Sequence, residues 1–189
     1  MQQQLDSARK ARSNSEDICL IAKFLDGSES AFEELFRKYQ RRLFSLCRHF
    51  LGNDADAEDA VQDAFLSIYH GLSRFRGDSG FYTWAYGITV RSCISHRRKQ
   101  RRPTESLDDM PEPVDRANHD EIDAIVIRQA VSKLPDQHRI VLILKYYEQL
   151  SMEEIAQVLG CSADRIKMRL HRARNALRGV LDPEMGGDR

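Results

Sequence analysis

Apolar residues recur every three or four positions along most of this 189-residue chain, and that period constrains the fold class. Residues 30–51 carry such a stripe, and residues 54–70 and 81–98 carry two more. A period near 3.6 residues puts the apolar side chains on one face of an amphipathic helix. No stretch shows the two-residue alternation that is typical of a half-buried strand. The sequence therefore predicts an all-α protein.

An acidic, proline-rich segment divides the chain. Residues 103–121 contain three of the five prolines, and residues 105–123 hold eight acidic residues against one arginine. This composition is typical of a flexible linker. We therefore expect two small helical domains, the first over residues 18–102 and the second over residues 122–181. A disordered N-terminus (residues 1–17) precedes them, and a short tail (residues 182–189) follows.

The last third of the chain has the pattern of a helix-turn-helix. Ser151 and Glu154 have the spacing of a capping box, and the short helix that they begin ends at Gly160. A three-residue turn leads to a second helix, and residues 161–181 hold six basic residues against one acid. Such a helix can present guanidinium groups to phosphates and base edges in the major groove. The alternative interpretation is a solvated basic helix of a bundle.

The formal net charge of zero conceals blocks of opposite sign. Residues 54–63 carry five acids and no base, which predicts a helix face that meets water or a basic partner. Residues 91–102 carry six bases and no acid, directly after Trp84 and Tyr86. Aromatic residues beside bases suit stacking on unpaired nucleotides. Equally, the aromatic residues can be core and the basic cluster a solvated helix end.

Several functional classes are excluded by what the sequence lacks. No apolar run is long enough to cross a membrane and no signal peptide is present, so we expect a cytoplasmic protein. No nucleophile–base motif or phosphate-binding glycine loop occurs, so we expect no enzyme, no metal and no cofactor. The four cysteines form no CxxC pair, and we expect buried thiols at Cys19, Cys47, Cys93 and Cys161.

Three segments together resemble the extracytoplasmic-function (ECF) sigma factors of bacterial RNA polymerase. They are DAEDAVQDAFLSIY (56–69), FRGDSGFYTWAYGITVR (75–91) and LSMEEIAQVLGCSADRIKMRLHRARNALR (150–178). The resemblance covers residues 18–181 and implies a transcription initiation factor rather than an enzyme. It implies a first domain that binds the β′ clamp helices of core RNA polymerase and opens the −10 promoter element. The second domain would bind the −35 element and the β flap, and an anti-sigma factor is a further implied partner.

The same resemblance implies three groups of site residues. The polymerase-binding positions are Asp56, Asp59, Gln62, Asp63 and Phe65. The positions for −10 DNA are Arg76, Tyr82, Trp84, Gly87, Arg91, Ser95 and Arg98. The positions for −35 DNA are Arg165, Lys167, Met168, Arg169, His171 and Arg172. The chain departs from the family pattern at Gly87, where many relatives have arginine, at Arg91, where many have asparagine, and at Met168, where many have serine.

Two other functions fit parts of the same pattern. A stand-alone DNA-binding regulator would use the helix-turn-helix of residues 151–180 without polymerase, but it has no need of the acidic helix at residues 54–66. A structural or adaptor protein would use the charged blocks alone and would show no sequence-selective DNA binding.

Overall fold

The computed structural model describes residues 2–100 and 119–185, and within them the chain is helical and contains no strand. This confirms the all-α prediction. The longer helices, in chain order, are α1 (Gln2–Leu25), α2 (Glu29–Leu51), α3 (Asp54–Gly71), α4 (Phe81–Gln100), α5 (His119–Lys133), α6 (Asp136–Leu142), α7 (Met152–Leu159) and α8 (Ala163–Met185). The predicted linker lies outside the described residues up to position 118.

Helices α1 to α4 form an N-terminal unit around α2. The stripe predicted for α2 is buried, with Leu43, Leu46 and Phe50 all inaccessible to solvent. Helix α3 packs on α2 through small residues, because Ala57, Ala60 and Ala64 are fully buried and allow a close approach. Helix α4 crosses both. The core of this unit is therefore the shared face of three amphipathic helices.

Helices α5 to α8 form a C-terminal unit whose local signals match the sequence. Ser151 accepts a hydrogen bond from the Glu154 amide, and the Glu154 carboxylate accepts one from the Ser151 amide, which completes the capping box. Gly160 ends α7 in the left-handed conformation, at φ 62°. Ile166 and Leu170 of α8 are buried against the preceding helices. The helix-turn-helix is thus fixed by one cap, one glycine and one apolar stripe.

Helix α1 occupies the segment for which the sequence predicted disorder. Asp17 is buried, and its carboxylate accepts hydrogen bonds from the Lys38 ammonium and the Tyr39 hydroxyl, both at 2.5 Å. The side-chain oxygen of Asn14 accepts from the Phe81 amide at 3.1 Å, so α1 satisfies a donor at the start of α4. These contacts lie 21 or more residues apart in sequence, and composition gives no sign of them.

Two further details differ from the sequence prediction. The helix expected over residues 136–148 is α6 followed by a π-helical turn, Ile143–Tyr147, after which Gln149 has a φ of 54°. Of the four cysteines, Cys47 and Cys93 are buried with their Sγ atoms 3.4 Å apart, whereas Cys19 is exposed.

None of the described helices is long and apolar enough to cross a membrane.

The buried Asp17 contact predicts a stability effect. Asp17→Ala leaves the buried Tyr39 hydroxyl without its acceptor, so we expect the free energy of unfolding to fall by about 1–3 kcal/mol. Urea denaturation followed by circular dichroism measures it. Glu16→Ala is the matched control, since the Glu16 side chain is 55% exposed in its ion pairs with Arg12 and Lys38, and its loss should change stability by less than about 0.5 kcal/mol. Equal effects of the two substitutions would contradict the structural role of Asp17.

Candidate functional site

An apolar groove of about 650 Å³ lies between α2 and α3 on the surface of the N-terminal unit. Its walls are aromatic and aliphatic, and its rim carries a few polar groups. The residues that line it are Phe32, Phe36, Gln40, Arg41, Phe44, Glu58, Val61, Gln62, Phe65, Leu66 and Tyr69. A soluble protein rarely leaves a contiguous apolar patch open unless another surface covers it. The groove therefore has the character of a docking site for a protein partner.

The groove brings together part of the predicted polymerase-binding group. Gln62 and Phe65 line it, and Asp59 lies exposed on the same helix. The other two acids contact the far end of α4. Asp63 lies 2.7 Å from the His96 ring nitrogen Nε2, and Asp56 accepts a hydrogen bond from Gln100. Part of the acidic block is therefore used within the unit.

Most of the groove walls are apolar residues that the sequence pattern did not predict as exposed. Phe36 lies in the apolar stripe of residues 30–51 but is 38% exposed, and Leu66 and Tyr69 are 54% and 39% exposed. The available signal was that α2 and α3 carry more apolar residues than one buried stripe needs. When the apolar face of a helix is wider than the core needs, part of that face packs on the core and the remaining apolar residues are left for another protein surface.

The aromatic residues at the start of α4 are mainly packed within the unit. The Trp84 ring lies 5.2 Å from that of Phe75 and 5.8 Å from that of Phe81, centroid to centroid, and it touches Gly71. Tyr86 is buried, whereas Tyr82 is half-buried. Tyr86 is thus a core residue and Trp84 is partly buried against the core, while a role of Trp84 in binding −10 DNA stays a prediction.

The basic face of α4 is accessible over most of its length. Arg91, Ser95 and Arg98 are exposed and lie at helical spacing on one stripe, while Gly87, at the start of that stripe, is buried. Arg76 is exposed in the loop before α4, next to Gly77, whose φ of 76° permits a sharp turn. The stripe and loop form a cationic surface that suits a nucleic-acid strand.

Helix α8 presents a second cationic surface. Arg165, Lys167 and Met168 are exposed, Met168 to 58%. His171 and Arg172 are exposed one turn further along, and Arg169 is half-buried. The opposite face is closed against the unit by the buried residues Ile166, Leu170 and Ala173. The helix is thus held on its domain while its polar face projects, which is the arrangement of a recognition helix.

Two titratable groups with raised pKa values, Tyr86 and Glu148, lie where the two units meet. The Tyr86 hydroxyl of α4 donates a hydrogen bond to the Glu148 carboxylate. Burial raises the pKa of Glu148 above its ordinary value of 4.5, against the opposing effects of that hydrogen bond and of Arg42. Burial and Glu148 also raise the pKa of Tyr86. Among the residues whose side chains are described, no group of three or more His, Cys, Asp or Glu is placed to hold a metal ion.

Two family models match the chain in the order of its two units. Residues 35–103 match sigma-70 region 2, and residues 124–177 match sigma-70 region 4. The α4 stripe and all of the groove lining except Phe32 fall within the first match, and α7 with most of α8 falls within the second. The matches therefore cover most of each candidate surface.

Relatives along nearly the full length support the same assignment. The RNA polymerase sigma-H factor of Pseudomonas aeruginosa is 34% identical, covering 89% of this chain and 95% of the relative. The ECF RNA polymerase sigma factor SigM of Mycobacterium tuberculosis is 34% identical, covering 92% and 87%. The ECF RNA polymerase sigma-E factor of Escherichia coli is 32% identical, covering 88% and 95%. This chain belongs to the ECF sigma factors, as the sequence resemblance predicted.

Solved structures of relatives share the fold. The structure of CnrH in complex with the cytosolic domain of CnrY aligns with a TM-score of 0.68 at 25% identity, covering 89% of this chain and 98% of that one. The sigma factor RpoE of Bartonella quintana, in complex with the anti-sigma factor NepR, aligns with a TM-score of 0.62 at 24% identity, covering 84% and 98%. Both alignments extend over region 2 and region 4 together. The family assignment favours a sigma factor over a stand-alone regulator.

The raised pKa of Glu148 predicts a pH effect. Because the folded state holds this proton more tightly than the unfolded state, its contribution to stability is complete below pH 4.5 and is lost as pH rises through the raised folded pKa. Glu148→Gln keeps the acceptor oxygen and removes the titration. We expect the variant to gain stability relative to the native chain as pH rises above 4.5, measured by urea denaturation at a series of pH values. A constant difference across the series would contradict the assignment.

Proposed function

We propose that this chain binds core RNA polymerase through the apolar groove between α2 and α3. The observation that carries the proposal is the groove itself, since it is apolar and open, is lined by the exposed acid Glu58, and has the exposed Asp59 next to Glu58 on α3. Apolar walls with an acidic rim suit a partner helix that carries apolar and basic residues. The β′ clamp helices are the partner that the family implies, and the β flap is the partner for region 4.

Promoter recognition is divided between the two cationic surfaces. The loop with Arg76 and the α4 stripe of Arg91, Ser95 and Arg98 would bind the separated strand at the −10 element. Stacking and phosphate neutralisation both favour an unpaired strand there. The exposed face of α8 would enter the major groove at the −35 element, where Arg172 can donate two hydrogen bonds to one guanine. The protein thus directs initiation and is a DNA-binding transcription factor rather than an enzyme.

Regulation by an anti-sigma factor and a cytoplasmic location complete the proposal. The solved relatives CnrH and RpoE are each seen in complex with a partner protein, and NepR is described as an anti-sigma factor. The open groove between α2 and α3 is available to such a partner here. A cytoplasmic location follows from the need to meet polymerase and chromosome.

Transcription with purified components tests the proposal. Core polymerase with this chain should produce discrete run-off transcripts from a genomic promoter library, and core polymerase alone should not. The shared sequence of the active promoters would give the −10 and −35 elements directly. Absence of both transcription and co-purification with core polymerase would overturn the proposal.

Charge reversal beside the groove should weaken polymerase binding. Asp59→Lys places a cation where a basic partner helix is expected, so we predict at least a tenfold loss of affinity for core polymerase in a pull-down titration. Leu66→Ser should act in the same direction by removing exposed apolar area from the groove. Glu153→Lys makes the same charge change on the exposed side of α7 and serves as the control. Equal affinity of Asp59→Lys and Glu153→Lys would exclude the groove as the docking site.

Removing a base contact should reduce sequence discrimination. Arg172→Ala is expected to weaken binding of the −35 duplex by about 1–3 kcal/mol while binding of random duplex changes little. Fluorescence anisotropy on the two duplexes at one salt concentration measures the difference. Arg178→Ala, on the same helix and also exposed, is the control. Equal losses on both duplexes would assign Arg172 to phosphate contact instead.

A further inference from the structure

Helix α4 receives the cap of its N-terminus from another helix. The residue before α4 is Gly80, whose carbonyl accepts a hydrogen bond from the Trp84 amide at 3.2 Å. A glycine in this place has no side-chain oxygen to offer to the amides of the first turn. The Phe81 amide instead donates to Oδ1 of Asn14 in α1, at 3.1 Å and across 67 positions of sequence. Helix α1 therefore supplies the cap that the local sequence lacks.

The contact between α1 and α2 holds Asn14 where it can reach this amide. The carboxylate of Asp17, one turn after Asn14, is buried and accepts hydrogen bonds from the Lys38 ammonium and the Tyr39 hydroxyl of α2. The Tyr39 ring in turn lies 5.3 Å from the Phe81 ring, centroid to centroid. The backbone amide of Phe81 and its side chain are thus both held at the place where α1, α2 and α4 meet.

The capped amide also fixes one end of the loop that carries Arg76. The loop covers residues 75–80, between a short helical turn and α4. The ring of Phe75, at its start, lies 5.9 Å from the ring of Phe81, directly after its end, so the two ends are packed together. A short loop with both ends fixed has few conformations, and it loses little entropy when it binds a ligand. The exposed Arg76 is therefore presented from a defined place.

We propose that Asn14 is a positioning residue for the −10 element. By capping α4 it sets the conformation of the Arg76 loop and of the first turn of α4, which together precede the cationic stripe. The inference rests on the proposed binding of the −10 strand by this loop and stripe. It adds a role for α1, which lies outside the segment that matches sigma-70 region 2. Asn14 acts through the loop and need not touch the strand itself.

Asn14→Ala removes the acceptor and leaves the rest of α1 in place. Trp84 is the one tryptophan of the chain and packs in the first turn of α4 beside the rings of Phe75 and Phe81, so its fluorescence reports on this end of the helix. We expect acrylamide to quench Trp84 more strongly in the variant than in the native chain. This readout needs neither polymerase nor promoter.

Binding of DNA by the assembled holoenzyme provides the functional readout. The probe is a labelled single strand that spans the −10 element of one active promoter from the run-off library, and anisotropy follows its binding. We expect Asn14→Ala to weaken this binding about fivefold, the factor that loss of a typical N-cap gives. Affinity for core polymerase and for the −35 duplex should not change, because the α2–α3 groove and α8 lie away from Asn14.

Two further variants separate capping from a general effect on the fold. Asn14→Asp keeps a side-chain oxygen in the same place, and a carboxylate is favoured at a helix N-terminus, so it should behave as the native chain does. Ser15→Ala changes the exposed neighbour of Asn14 and is the matched control. Far-UV circular dichroism of all three variants checks that the helices remain formed.

Three results would overturn the positioning role. They are unchanged Trp84 quenching and strand binding in Asn14→Ala, equal losses in Asn14→Ala and Asn14→Asp, and an equal loss of −35 duplex or polymerase binding in Asn14→Ala. Absence of transcription and of polymerase binding by the native chain would instead overturn the proposed function on which the inference rests. The quenching of Trp84 distinguishes these cases, since it reports on the cap whether or not the chain binds polymerase.

Discussion

The carbonyl end of α2 is the point on which both halves of the molecule depend. Arg139 is the largest fully buried side chain among the described residues. Burying its charge costs desolvation free energy, which nearby hydrogen-bond acceptors must offset. Its guanidinium donates to the carbonyls of Phe50 in α2 and of Val131, Ser132 and Leu134 at the end of α5. Carbonyls at helix C-termini carry partial negative charge, so a cation is favoured there. The same arginine thus ends two helices and joins two domains.

A second arginine, Arg97 of α4, also contacts Phe50. The Arg97 guanidinium donates to the same carbonyl at 3.3 Å, and both guanidinium groups lie within 6 Å of the Phe50 ring centre. One residue of the region 2 core is therefore the common acceptor for α4 and for region 4. Arg97 belongs to the same unit as Phe50, whereas Arg139 belongs to the C-terminal unit, so this carbonyl links contacts within one unit to contacts between the two.

The sequence predicted the helices and their ends well because each of these features depends on residues only a few positions apart. The capping box at Ser151, the left-handed Gly160 and the stripe of α2 all depend on neighbours in sequence. The groove, the contacts of α1 and the close approach of α7 to Gly87 depend on which helices pack together. The sequence pattern does not predict which helices pack together. Gly87 shows the difference most clearly. In the sequence it is a departure on a DNA-reading stripe, and in the structure it is the place where another backbone comes close.

The segregated charges of the chain acquire a physical meaning from this arrangement. The acidic start of α3 faces the basic end of α4, where Asp63 meets His96 and Asp56 meets Gln100, so part of the acid block orients the helix that carries the cationic stripe. Asp59 lies on the same stripe of α3 at helical spacing and is exposed to solvent. One run of carboxylates therefore includes members that contact α4 and a member that stays exposed. The formal net charge of zero is therefore the sum of an acidic surface on α3 and basic surfaces on α4 and α8, and surfaces of opposite sign suit different partners.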